Sequence, residues 1–127
     1  KRLIVLSSGG VVEDPAAPGF YTKLLRRYLI NTYVDMARME TILKESEDLD
    51  WTSVRLTYLR PGASKPFLVK EGKLGGGAFQ IHYVDAARFV VDELSTGAWI
   101  KGHPVLGYVT EKDAASTGAT LFTGSAQ

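Results

Sequence analysis

The stretch from Thr32 to Thr57 narrows the possible folds further than any other part of the chain. Its first half places Met36, Met39 and Leu43 on one face at helical spacing, with Ile42 beside them. That is the stripe of an amphipathic helix. Glu40 and Lys44 stand four residues apart, the spacing of a favourable ion pair on a helix surface. Asp48 and Asp50 mark a turn, and Trp51 to Thr57 then carries the β-branched and aromatic content of a strand. Upstream, Leu3 to Leu6 is a short unbroken apolar run, as in a parallel strand covered on both faces. Ser7, Ser8, Gly9 and Gly10 end it abruptly. A strand, a helix and a second strand, with small and polar residues where the strands end, is the layout of a nucleotide-binding α/β half-sheet.

The remaining segments extend that pattern. Val11 to Gly19 holds two prolines and reads as loop. Tyr21, Leu24, Leu25, Tyr28 and Leu29 make Phe20 to Ile30 a further amphipathic helix. Asn31 or Thr32 either ends it and caps the next helix, or the two helices merge there. Phe67 to Lys70 reads as a short strand or hairpin arm, Gly75 to Gly77 as flexible loop, and Phe79 to Tyr83 as a short extended piece. Asp85 opens a helix as an acidic first-turn residue, with Ala86, Phe89, Val90 and Leu94 toward the core and Gly97 near its end. Val105 to Val109 reads as the last strand, and residues 111–127 as a loosely ordered tail. Alternating strands and helices imply a mostly parallel sheet with right-handed crossovers. Ligands of such sheets bind beyond the carboxyl ends of the strands, here Ser7, Ser8, Gly9 and Gly10, then Leu56, Thr57 and Tyr58.

Composition removes several function classes. A chain of 127 residues is one domain or part of one. A net charge of +1 leaves no electrostatic footprint for nucleic acid. The absence of cysteine removes disulfides and thiolate metal sites and suits a reducing, cytoplasmic setting. No apolar run reaches the roughly 20 residues that span a bilayer. A chain that opens at Lys1 directly into a core strand reads as a piece of a larger fold.

The segments LIVLSSGGV, YVDMARMETILKESEDLDWTSVR and IHYVDAARFVVDEL resemble the second half of the atypical short-chain dehydrogenases. More narrowly they are similar to the NAD(P)H-binding group of biliverdin reductase B, flavin reductase and NmrA-like proteins. The resemblance implies a Rossmann-like parallel sheet with flanking helices, of which residues 1–110 are the C-terminal half. It implies NADPH or NADH as cofactor and reduction of a small, flavin- or tetrapyrrole-like substrate. Mapped onto this chain, it makes Ser7, Ser8, Gly9, Leu56, Thr57 and Tyr58 the cofactor-binding residues. Ser8, Tyr58 and Tyr33 become the catalytic candidates.

The departures from that pattern are specific. No GxxGxxG turn, which cradles a pyrophosphate at a helix N-terminus, occurs in the sequence. The Tyr–Lys pair of short-chain dehydrogenases lacks its lysine: Ala37 stands four residues after Tyr33, and an alternative alignment puts Met36 there. Leu56 follows Arg55 where relatives carry proline, and Tyr58 falls where the biliverdin reductase pattern has a histidine. Each candidate also has a plain structural reading. Ser7 and Ser8 suit a strand-ending turn, Tyr33 a helix-start aromatic packed on the sheet, Tyr58 a half-exposed loop aromatic. His82 reads as a strand-to-helix junction residue, Lys65, Lys70 and Lys73 as a solvated loop, and His103 offers no metal site.

Without the first half of the fold, the Leu3 to Leu6 strand keeps an unpaired apolar edge. A second chain or a homodimer is expected to cover it. The expected partners are therefore another polypeptide and a small-molecule substrate, with no nucleic acid and no membrane. The alternative function is a non-catalytic, NmrA-like binding or assembly module that has lost its cofactor.

Overall fold

A computed structural model describes residues 1–9, 24, 27–74, 80–108 and 119–122. The elements in order are β1 (Arg2–Ser8), α1 (Ile30–Glu45), β2 (Asp50–Leu56), β3 (Tyr58–Arg60), β4 (Phe67–Glu71), β5 (Gln80–His82), α2 (Tyr83–Thr96), β6 (Pro104–Gly107) and β7 (Thr120–Phe122). The main sheet runs β1-β2-β6-β4-β7, and β3 and β5 form a separate two-stranded sheet. It is parallel from β1 through β2 to β6 and antiparallel beyond. This is the mixed α/β, Rossmann-like architecture expected from the alternation of elements.

β1 pairs with β2 in register over its whole length, from Arg2 opposite Asp50 to Ser8 opposite Leu56. Side chains alternate across a sheet, so β2 presents two different faces. Val54 and Leu56 point into the main apolar cluster with Phe67, Val69, Leu106, Ile81, Ala86 and Phe89. That face lies under α2. The opposite face carries Trp51, Ser53 and Arg55 toward α1, and it is polar. Glu40 of α1 is 3 % exposed. It takes Arg55 Nε at 3.1 Å on Oε1 and Nη2 at 2.6 Å on Oε2, with Ser53 Oγ donating to Oε1 at 3.0 Å. The surface pair expected between Glu40 and Lys44 therefore does not describe Glu40. The helix turns this carboxylate inward, where a fixed guanidinium replaces the water it loses.

Several other expectations shift for physical reasons. α1 starts at Ile30 with Leu29 ahead of it and no side-chain cap, so Asn31 and Thr32 lie inside the helix. On α2, Leu94 is 59 % exposed and Glu93 is buried in its place. The Glu93 carboxylate is held by Arg2 at 2.7 Å and by the Trp99 amide at 2.8 Å, which pins α2 to the start of β1. Gly97 closes α2 in the left-handed region, φ 58°, with its amide on the Glu93 carbonyl. Thr120–Phe122, within the stretch expected to be a loose tail, forms the edge strand β7, so β6 is not the last strand. Phe122 stacks on Phe67 at 4.7 Å and meets Phe89 edge-on, contacts that an Ala, Ser, Thr and Gly background conceals. The helix expected over Phe20 to Ile30 lies mostly outside the described residues, as do Gly10, the Gly75 to Gly77 loop and the rest of the tail.

Candidate functional site

Three parallel strands end side by side: β1 at Ser8, β2 at Leu56 and β6 at Gly107. A Cβ built at Gly9 would stand 3.7 Å from the Leu56 carbonyl oxygen, 3.8 Å from Thr57 Cγ2 and 3.9 Å from Val105 Cγ1. Gly9 therefore crosses the end of β2, and the ends converge as the doubly wound rule requires. Thr57 donates its hydroxyl to the Leu106 carbonyl at 2.8 Å, tying the end of β2 to β6. Tyr58 follows at once, half exposed, as the first residue of β3.

The strand alternation separates the candidates. Ser7 is buried on the α1 side of the sheet, and its hydroxyl finds no hydrogen-bond partner among the described residues. Ser8 points to the other face and is partly exposed. Leu56 commits its side chain to the apolar core, so only its backbone reaches the strand ends. Tyr33 sits in the first turns of α1, half buried, on a helix and not at the strand ends. Ser8, Gly9, Thr57 and Tyr58 are thus the candidates gathered at the carboxyl end of the sheet.

Two buried carboxylate networks brace the sheet. In the first, burial would push the Glu40 carboxyl up, but the Arg55 guanidinium and the Ser53 hydroxyl outweigh it and hold it below its ordinary value. Arg55 also donates Nη1 to the Gly72 carbonyl at 2.7 Å. The His103 amide and ring both reach Glu71, at 2.8 Å and 3.2 Å. In the second, Asp85 is fully buried. It accepts from Ser64 Oγ at 2.6 Å, from the Lys65 amide at 3.1 Å and from the Tyr108 hydroxyl. Burial alone would raise Asp85, yet these donors and nearby Arg88 hold it below its ordinary value. Tyr108 is pushed up to about 12 by burial and by the Asp85 carboxylate, so it serves as a donor and not as an acid. An acidic residue at spacing for the buried side of a helix was the one available hint of Glu40.

Among the described residues no group of three or more His, Asp or Glu could hold a metal ion. No helix among them is long and apolar enough to cross a membrane.

The family model for NAD(P)H-binding proteins matches residues 1–96. No curated protein matches the chain. Among solved structures, a candidate exported protein from Burkholderia pseudomallei shares 24 % identity at a TM-score of 0.72, over 85 % of this chain and 56 % of that one. A candidate NADH-flavin reductase from Streptococcus pneumoniae shares 22 % identity at 0.63, over 86 % and 56 %. A short-chain dehydrogenase/reductase of the wide type from Veillonella parvula, in complex with NADP, shares 22 % at 0.66, over 83 % and 49 %. The chain spans about half the length of the structures it matches.

Proposed function

This chain belongs to the NAD(P)H-binding family, and on that premise we propose that it forms the substrate-side half of a nicotinamide-dependent oxidoreductase. The observation that carries the reading is the convergence of Ser8, Gly9, Thr57 and Tyr58 where three parallel strands end. A Cβ at Gly9 would only touch Leu56, Thr57 and Val105 at ordinary contact distances, so it is a larger side chain there that would crowd a flat ring laid against the strand ends. When bound, a nicotinamide supplies a hydride. The residues of this chain orient and exclude: Thr57 fixes the end of β2, Ser8 and Tyr58 line the substrate side, and the β2 core beneath keeps water out. Tyr33 has no lysine one turn on, and the Ser8 and Tyr58 hydroxyls are the proton carriers nearer the strand ends. A small flavin-like substrate fits such a shelf. NADH and NADPH remain equal candidates for the cofactor.

The pyrophosphate needs a Gly-rich turn, which a second polypeptide segment would supply by adding a parallel strand along the outer edge of β1. Two observations support this arrangement. The chain spans about half of each matched structure, and β1 is the edge strand with Leu6 56 % and Leu3 37 % exposed. The test is titration with NADPH and with NADH of the chain completed by a Gly-rich strand-turn-helix segment, followed by Trp51 and Trp99 fluorescence, in wild type and Gly9→Val. A saturable change that Gly9→Val abolishes is expected, and no saturable change with either nucleotide sinks the reading. The missing lysine favours a second reading, a non-catalytic binding module. Binding without oxidation of NAD(P)H in the presence of flavins would select it.

A further inference from the structure

A fully buried carboxylate normally serves the core, yet Asp85 spends its oxygens largely on a surface loop. Residues 61–66, which lead from β3 to β4, are all exposed. Ser64 donates its hydroxyl to Asp85 Oδ1 at 2.6 Å, and the Lys65 amide donates to Oδ2 at 3.1 Å. The third donor, Tyr108, directly follows β6 at the carboxyl end of the sheet. The loop is gripped at further points. Arg88 donates to Ser64 Oγ at 2.6 Å. His82 Nδ1 lies 2.8 Å from the Ala63 carbonyl, which can only accept, so Nδ1 carries the proton. The His82 amide donates to the Tyr108 hydroxyl oxygen at 3.2 Å. Lys65 Nζ sits 4.2 Å from the centre of the Tyr108 ring, a cation over an aromatic face. At Gly62 the His82 ring packs so close that a Cβ would stand 2.4 Å from Cε1.

An exposed loop left to itself would sample many paths. Here Ala63, Ser64 and Lys65 each have a tether, Gly62 packs against the His82 ring, and every tether leads to Asp85, Tyr108, His82 or Arg88. The tethers fix the loop where it leaves the strand bearing Tyr58, beside the end of β6. We infer that Asp85 is a positioning residue that clamps residues 61–66 across the carboxyl end of the sheet, so that the loop forms a fixed wall of the substrate shelf. This rests on the nicotinamide reading given above. The clamp touches neither hydride donor nor acceptor. It acts by holding Tyr58 and Lys65 at set positions, and it matters to substrate binding more than to nucleotide binding.

The experiment is amide hydrogen exchange on the whole chain in wild type, Asp85→Asn and Ser64→Ala. Expected is exchange at residues 62–65 faster by about ten-fold or more, as in a local opening, with β2 and α2 amides unchanged. Ser64→Ala removes one donor from an exposed site, so it reads the clamp even where Asp85→Asn fails to fold. Unchanged exchange at 62–65 in Ser64→Ala, or a rise spread evenly over β2 and α2, overturns the inference. A kinetic arm separates it from the functional reading. With flavin mononucleotide as the acceptor probe, Ser64→Ala should raise its KM several-fold with kcat and nucleotide Kd unmoved, and a KM that stays put ends the positioning role. A loosened loop in a protein that binds no nicotinamide nucleotide would overturn the nicotinamide reading, and the positioning role with it, while leaving the tether chemistry as described.

Discussion

At the scale of single residues, the polar layer between α1 and the sheet decides stability more than its size suggests. Glu40 and Arg55 are both nearly inaccessible and meet in a two-pronged ion pair. Removing either partner leaves the other charge buried and unpaired, at a cost of about 3–5 kcal/mol. Glu40→Gln and Arg55→Met should each lower the urea midpoint sharply, and a double Glu40→Leu, Arg55→Met variant should lose much less than their sum. The same carboxyl gives a pH signature. Its folded pKa lies below 4.5, so its contribution is complete above that value and is lost as pH falls through the folded one. Asp85 behaves likewise below 3.8. Urea midpoints measured down through this acid range should fall steeply in wild type and less steeply in Glu40→Gln. Gly62 offers a second residue-scale test. An alanine Cβ there would overlap the His82 ring and should cost about 1–3 kcal/mol. Adding His82→Ala should restore much of that loss, as a double-mutant cycle in thermal unfolding would reveal.

At the scale of elements, the sequence pattern and the structure agree where a single physical cause acts. The strand at β1, the β-branched and aromatic strand β2 and the close of α2 at Gly97 were all legible, because strand preference or chirality dictates them, although Leu3 and Leu6 of β1 are exposed and not covered on both faces as the apolar run suggests. Gly97→Ala should destabilise by about 1–2 kcal/mol, since an L residue resists that backbone conformation, and a lowered melting temperature would register it. The pattern failed where a long-range partner overrides local preference. Leu94 suits a core position by spacing, but Arg2 and the Trp99 amide give Glu93 better partners than water, and the helix rotates to accept them. β7 is illegible for a related reason. Its local composition is that of a loop, and only Phe67 and Phe89 across the fold make Phe122 a packing residue. Of the candidate site, the strand ends could be read from small residues after apolar runs. Asp85, Tyr108 and the loop they hold could not, because their spacing along the chain says nothing of contacts 20 or more residues apart.

At the scale of the whole molecule, the order β1-β2-β6-β4-β7 leaves the longest parallel ladder at one margin. Among the described residues no strand pairs with that margin. Between Arg2 and Ser8 it carries no proline, bulge or interior charge, the devices by which natural edges resist pairing. Leu6, more than half exposed, stands on one face of it. The chain by itself should therefore associate as its concentration rises, and Leu6→Lys should suppress this without changing the unfolding free energy by more than about 0.5 kcal/mol, as for a surface change. Sedimentation of the two proteins over a concentration series would measure it. Wild type that remains dispersed throughout would mean that the edge is protected by other means.

The Glu40–Arg55 contact also bears on how this sequence can change over generations. Because either loss alone strands a buried charge, neither position is free to drift by itself. Among descendants of a common ancestor the two should be exchanged together or not at all, with an apolar residue at 40 accompanied by one at 55. An alignment deep enough to score paired substitutions would expose that coupling, and helix and sheet would then be linked by inheritance as well as by contact.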